Sequence, residues 1–85
     1  MQVLIPAALK TYTHASHVEA AGDTLLALFV DLESRYPGLR FRVVDEQGRL
    51  RPNMRIFING LGVRDLGHGL RPNDDVAIVL ALSGG

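Results

Sequence analysis

Cysteine and tryptophan are absent from this chain of 85 residues, and lysine occurs once, at Lys10. Without cysteine there is no disulfide framework, no thiolate zinc site and no cysteine nucleophile. An excess of either charge is missing too, since nine Lys and Arg balance nine Asp and Glu. A protein that neutralises phosphates is normally basic, so nucleic acid is not an expected partner. No apolar run approaches the ~20 residues of a membrane-spanning helix, and the N-terminus lacks the basic-then-apolar layout of a secretion signal. The expectation is a soluble cytoplasmic protein with no membrane partner. What is present is an ordinary globular composition, 47% hydrophobic and 21% charged, enough to fold as one small domain. Such a domain is too small to enclose a deep active site easily, which favours a carrier or binding module over an enzyme.

Gln2 to Pro6 reads as an apolar β-strand stopped by proline, and His17 to Ala21 as a second short strand. The cheapest pairing of two strands so close in sequence is an antiparallel hairpin. Gly22-Asp23-Thr24 then opens a helix, with Asp23 or Thr24 as its cap. Leu25, Leu28, Phe29, Leu32 and Tyr36 form one apolar stripe at helical period, and Pro37-Gly38 ends it. Phe41 to Val44 fits a strand or an irregular crossing, and Asp45 to Gly48 a polar turn. Met54 to Ile58 is a strand closed by Asn59-Gly60. Leu61 to Asp75 is a glycine-studded connection with Leu66 and Leu70 as core plugs, and Val76 to Leu82 is the strongest strand. One helix covers one face of a mixed sheet of about four to five strands, so the class is α+β. With the first and last strands as parallel central neighbours, the arrangement is the β-grasp. Val76, Ile78 and Leu80 then face the helix, and Ala77, Val79 and Ala81 face outward. An outward row without charge is a surface suited to a partner.

The division expected is a domain over residues 1–82 and a flexible tail over 83–85, ending Ser83-Gly84-Gly85. Glycine without a Cβ threads a narrow channel, and a terminal glycine offers an unhindered carboxyl carbon. Its carboxylate, ionised at neutral pH, is a poor electrophile and needs activation. No phosphate loop of the Gly-x-x-x-x-Gly-Lys-Ser/Thr type occurs, so the activating ATP-dependent enzyme is expected to be another protein.

Several stretches together resemble the ubiquitin-like sulfur-carrier family of the ThiS and MoaD type. They are Val3-Leu4-Ile5-Pro6, Gly22-Asp23-Thr24-Leu25, Tyr36-Pro37-Gly38-Leu39-Arg40 and Asp45-Glu46-Gln47-Gly48. Ile56-Phe57-Ile58-Asn59-Gly60 with Val63-Arg64, Pro72 to Ile78, and Gly84-Gly85 complete the set. Length and the Tyr-Pro-Gly-Leu-Arg stretch sit closer to MoaD-like and cysteine-synthesis carriers than to thiamine carriers. The resemblance implies adenylation of Gly85 by a ThiF/MoeB-type enzyme with ATP, then conversion to a thiocarboxylate. That group donates sulfide to a biosynthetic enzyme making molybdopterin, cysteine or another thio-metabolite. The chain itself holds no cofactor or metal, has no catalytic residue in the usual sense, and is a monomer when free. Ser83 and Gly84 thread the partner's channel, and Pro6, Leu61, Val79 and Ala81 form the partner-contact patch on the outer sheet face. The chain departs from many family members in carrying Val79-Leu80-Ala81-Leu82 where they have proline and aromatic residues before the tail.

Two other readings share the same sequence. One is a ubiquitin-like modifier conjugated through Gly85, for which the single lysine disfavours chain building. The other is a β-grasp interaction domain without tail chemistry. His14 and His17 have a His-x-x-His spacing with no third ligand, so exposed loop histidines are the better account. Gly67-His68-Gly69 reads as a mobile turn. Arg40, Arg42, Arg49, Arg51 and Arg55, a basic stretch broken by Asp45 and Glu46, read first as a solvated face, second as a dock for an acidic partner surface and a distant third as an RNA contact.

Overall fold

The structure, a computed structural model, describes residues 1–81. Its five strands are β1 (Gln2–Leu4), β2 (His17–Glu19), β3 (Met54–Ile58), β4 (Leu61–Val63) and β5 (Val76–Leu80). Its helices are α1 (Lys10–Thr13), α2 (Leu25–Arg35) and α3 (Leu39–Val43). The sheet order is β2-β1-β5-β3-β4. β1 runs parallel to β5 and antiparallel to β2, while β3 is antiparallel to both β5 and β4. This is the expected α+β, β-grasp arrangement, with the most apolar strand at the centre and α2 across one face.

Helix α2 forms where the apolar stripe placed it, and Leu25, Leu28, Phe29 and Leu32 are fully buried. Of the two candidate caps, Thr24 is the one used. Its Oγ1 accepts the Ala27 N–H at 3.1 Å. The connection from Asp65 to Leu70 satisfies the other free donors of the first turn: Leu25 N–H donates to the His68 carbonyl and Leu26 N–H to that of Leu66. Leu66 and Leu70 are both buried, so this segment plugs the core as its leucines indicated. Gly22 packs so closely beneath the helix that an added Cβ would lie 2.5 Å from the Leu28 backbone nitrogen.

Three local expectations are corrected. Phe41 to Val44 is neither strand nor irregular crossing: Leu39–Val43 is helical, because Leu39 and Val43, four apart, are both driven into the core. Gly38, at φ 96°, ends the approach from α2, and the Glu33 carboxylate accepts the Gly38 and Arg40 N–H groups that begin α3. The connection from β1 to β2 is not a simple hairpin loop. Ala7–Leu9 forms a 3-10 turn leading into α1, burying Leu9 and Thr13 four residues apart. The glycine-studded connection begins with a strand, β4, joined to β3 through Asn59 and Gly60 at φ 51° and 85°. Positive φ at both central residues is the turn that matches the strand twist.

Gly22→Ala is expected to cost about 1–3 kcal/mol, because the obstruction is helix backbone rather than a movable side chain. For a domain of this size that lowers Tm by several degrees; an unchanged melting curve would show that the approach relaxes freely. Backbone N–H donors also hold Glu33, Asp45 and Asp74 below the usual carboxylate range: those of Gly38, Arg49 and Arg71 respectively are the largest causes. Carboxylates depressed in the folded state stabilise it above their unfolded pKa values of about 4, and that stabilisation is lost as pH falls through the folded values. Urea titrations from pH 7 to pH 3 should show falling stability, and Glu33→Gln should be less stable at pH 7 with a shallower acid loss.

Candidate functional site

Strand β5 lies between two partners, so its backbone is paired on both edges. Pairing persists past the strand, with the Ala81 N–H donating to the Asn53 carbonyl at 2.8 Å. The chain therefore reaches the root of its C-terminus held in the sheet. Gly85, Ser83 and Gly84, together with the expected domain boundary after Leu82, lie outside the described residues.

Alternation along β5 buries Val76 and Ile78 against α2, with Leu80 half-buried at the core margin. Ala77 and Val79 point the other way, and Val79 is 38% exposed. On neighbouring strands the same side of the pleat carries Leu4, 39% exposed, and half-buried Phe57, which pairs with Ala77. Leu4 is in register with Ala77, and the half-buried Pro6, two residues further on and still extended, falls level with Val79. A shallow groove among Leu4, His17, Phe57 and Ala77 crosses this face. Val79 thus shares an outer apolar face with Leu4, Phe57 and Ala77, while half-buried Pro6 follows β1 and half-buried Ala81 follows β5.

Leu61 is set apart from them. It is 64% exposed, but its register partner is the buried Ile58, so it lies on the opposite side of the pleat from Phe57 and Val79, at the corner of the β3–β4 hairpin. Leu4 and Phe57 are surface members that the reading of the patch missed. The signal was present, since each is flanked by two β-branched residues that the core takes: Val3 and Ile5, and Ile56 and Ile58.

The described part of the face offers an apolar contact surface, with His17 and Asp75 among the residues lining its groove. His14 caps the end of α1 at φ 57°, and His17 lies on the edge strand. Among the described residues no three His, Cys, Asp or Glu side chains are grouped to hold a metal ion. No helix among them is long and apolar enough to cross a membrane.

Comparison with known proteins agrees with this geometry. The sequence profile of the ThiS family matches residues 3–85. The chain belongs to the ThiS family. The ThiS and MoaD type of ubiquitin-like sulfur carrier is thus the family that its sequence stretches resemble. It is 36% identical to the sulfur carrier protein CysO of Mycobacterium tuberculosis, over 98% of this chain and 96% of that protein. A chain in the crystal structure of the Amycolatopsis orientalis BexX/CysO complex superposes with TM-score 0.91 at 34% identity, covering 99% of this chain and 98% of that one. The small archaeal modifier protein 1 of Methanosarcina acetivorans superposes with TM-score 0.81 at 25% identity, covering 99% of this chain and 94% of that one.

The two sides of β5 should respond differently to substitution. Ile78→Ala, in the core, is expected to cost about 2–5 kcal/mol. Val79→Arg is expected to change stability by under about 1 kcal/mol, because its side chain already meets solvent. Chemical denaturation of both variants checks the face assignment; comparable losses would refute it.

Proposed function

We propose that this chain is a sulfur carrier protein, a co-substrate rather than an enzyme, working through the carboxylate of Gly85. The observation that carries the reading is a Gly84-Gly85 pair four residues beyond the central strand in the sequence of a chain 36% identical to a sulfur carrier over 98% of its length. Residues 82–85, fully extended, span about 13–14 Å. That is enough for the end to enter a neighbour's active site while the domain stays outside.

The chemistry follows from the carboxylate's weakness as an electrophile. A separate enzyme of the ThiF/MoeB type binds ATP, and a Gly85 carboxylate oxygen attacks the α-phosphorus, releasing pyrophosphate. A sulfur nucleophile at the oxidation level of sulfide then adds to the acyl carbon and expels AMP, leaving a thiocarboxylate. A sulfur-accepting biosynthetic enzyme takes that sulfur at the sulfide level as the acyl C–S bond breaks, and water supplies the oxygen that restores the carboxylate. Ser83 and Gly84 line the thread, and the face holding Pro6, Leu4, Phe57, Val79 and Ala81 rests on the partner. Leu61 offers a separate contact at the hairpin corner. The CysO chain crystallised in complex with BexX supports docking of this fold on a partner protein. The likeness to a small archaeal modifier protein favours a second use of the same activated end, conjugation to lysines of other proteins.

Intact mass after incubation with ATP, a sulfur source and lysate of the source organism tests this. The expected result is a gain equal to sulfur replacing oxygen, mapped to Gly85 and absent from a Gly85 deletion. Adducts on other proteins' lysines, with no such gain, would replace the carrier by the modifier. Neither product, with the activating enzyme shown to be present, would leave a plain interaction domain.

A further inference from the structure

Zero net charge conceals a lengthwise asymmetry. Asp74 and Asp75 precede the start of β5, and Glu19 lies beside them across a shallow recess. At the other end, Arg42 and Arg51 share a cleft with Leu80, the last strand residue before the tail's root, and no carboxylate lines it. Arg55, the register partner of Val79, adds a third guanidinium on the outer face. Among the described residues the ion pairs are Met1–Glu19 and Arg35–Asp31, so none of these three arginines is in a direct ion pair there. Asp45, held low chiefly by the Arg49 N–H, is nevertheless near enough to Arg51 for that charge to lower its pKa as well.

The cleft is also organised. The Arg51 guanidinium lies 4.6 Å from the Phe41 ring centroid, and its Nε donates to the Phe41 carbonyl at 2.8 Å. Phe41 remains 55% exposed. An arginine held on an exposed aromatic ring has lost much of the freedom that binding would otherwise remove, and arginine is enriched among contact hot spots.

We propose that Arg42, Arg51 and Arg55 form a docking collar around the root of the tail. Its counterpart is an acidic rim at the mouth of the partner enzyme's channel. The inference rests on the carrier reading above and names the charge of the surface that receives the domain. Length decides between that rim and the phosphates of the partner's nucleotide. With the tail extended, its reactive end is about 13–14 Å beyond Ala81, further than an arginine side chain at the root extends. The collar therefore meets the entrance, where complementary charge governs encounter and orientation, and not the reacting group.

The test uses the full chain, the purified ThiF/MoeB-type enzyme of the source organism, and ATP–pyrophosphate exchange across a salt series. Arg42 makes no hydrogen bond or ion pair among the described residues, so Arg42→Glu should fold normally, as a thermal melt would verify. It is expected to raise the KM for the carrier about three- to tenfold, leave kcat unchanged, and flatten the rise of KM with salt. Adding Arg51→Gln should raise KM further. Arg71→Glu alters net charge as much as Arg42→Glu, but near Asp74, and should leave KM unchanged. Equal behaviour of Arg42→Glu and Arg71→Glu would overturn the collar, as would a fall in kcat at constant KM, which would place Arg42 at the nucleotide. No exchange with the unaltered chain would overturn the carrier reading and the collar with it.

Discussion

Pairing of β5 on both edges is the constraint from which the rest of the molecule follows. A strand of Val76-Ala77-Ile78-Val79-Leu80 has no charged residue with which to face solvent at an edge, so it is stable only between two others. Placing β1 parallel beside it requires a long crossover, and α2 with its capped first turn supplies that crossover. The same placement sends Val76 and Ile78 into the core and leaves Ala77 and Val79 as the middle of an apolar outer face. It also delivers the C-terminal residues from the centre of the sheet rather than from a frayed rim.

Division of labour between the two ends of the chain is a consequence of this plan. The domain supplies shape, an apolar face and a collar of guanidinium groups. On the proposed reading the reactive carbon lies beyond it, on glycine residues that lack a Cβ. On that reading, a carrier can present one surface both to an activating enzyme and to a sulfur acceptor.

Much of this was legible in the residues. The stripe from Leu25 to Leu32, the alternation in β5 and the Asn59-Gly60 turn each state a period or a dihedral requirement that only one element satisfies. Less legible were elements too short to show a period. Leu39 and Val43 are a single i, i+4 pair, and they compete with a β-branched run, Val43-Val44, that suggests a strand. Leu9 and Thr13 are another such pair, and Thr13 is polar. The three residues of β4 hold a glycine, and they become a strand only because the turn before them returns the chain along β3. The site divided in the same way. Val79 followed from alternation, whereas the position of Leu61 depended on register across a turn, and Gly22 owed its identity to a helix backbone packed against it.

Because β5 lies lengthwise between β1 and β3, any pull applied beyond Ala81 acts along the strand axis. The flanking hydrogen-bond ladders then carry the load together, in shear, instead of parting one rung at a time. A partner drawing on the residues beyond Ala81 would therefore load both ladders of β5 at once.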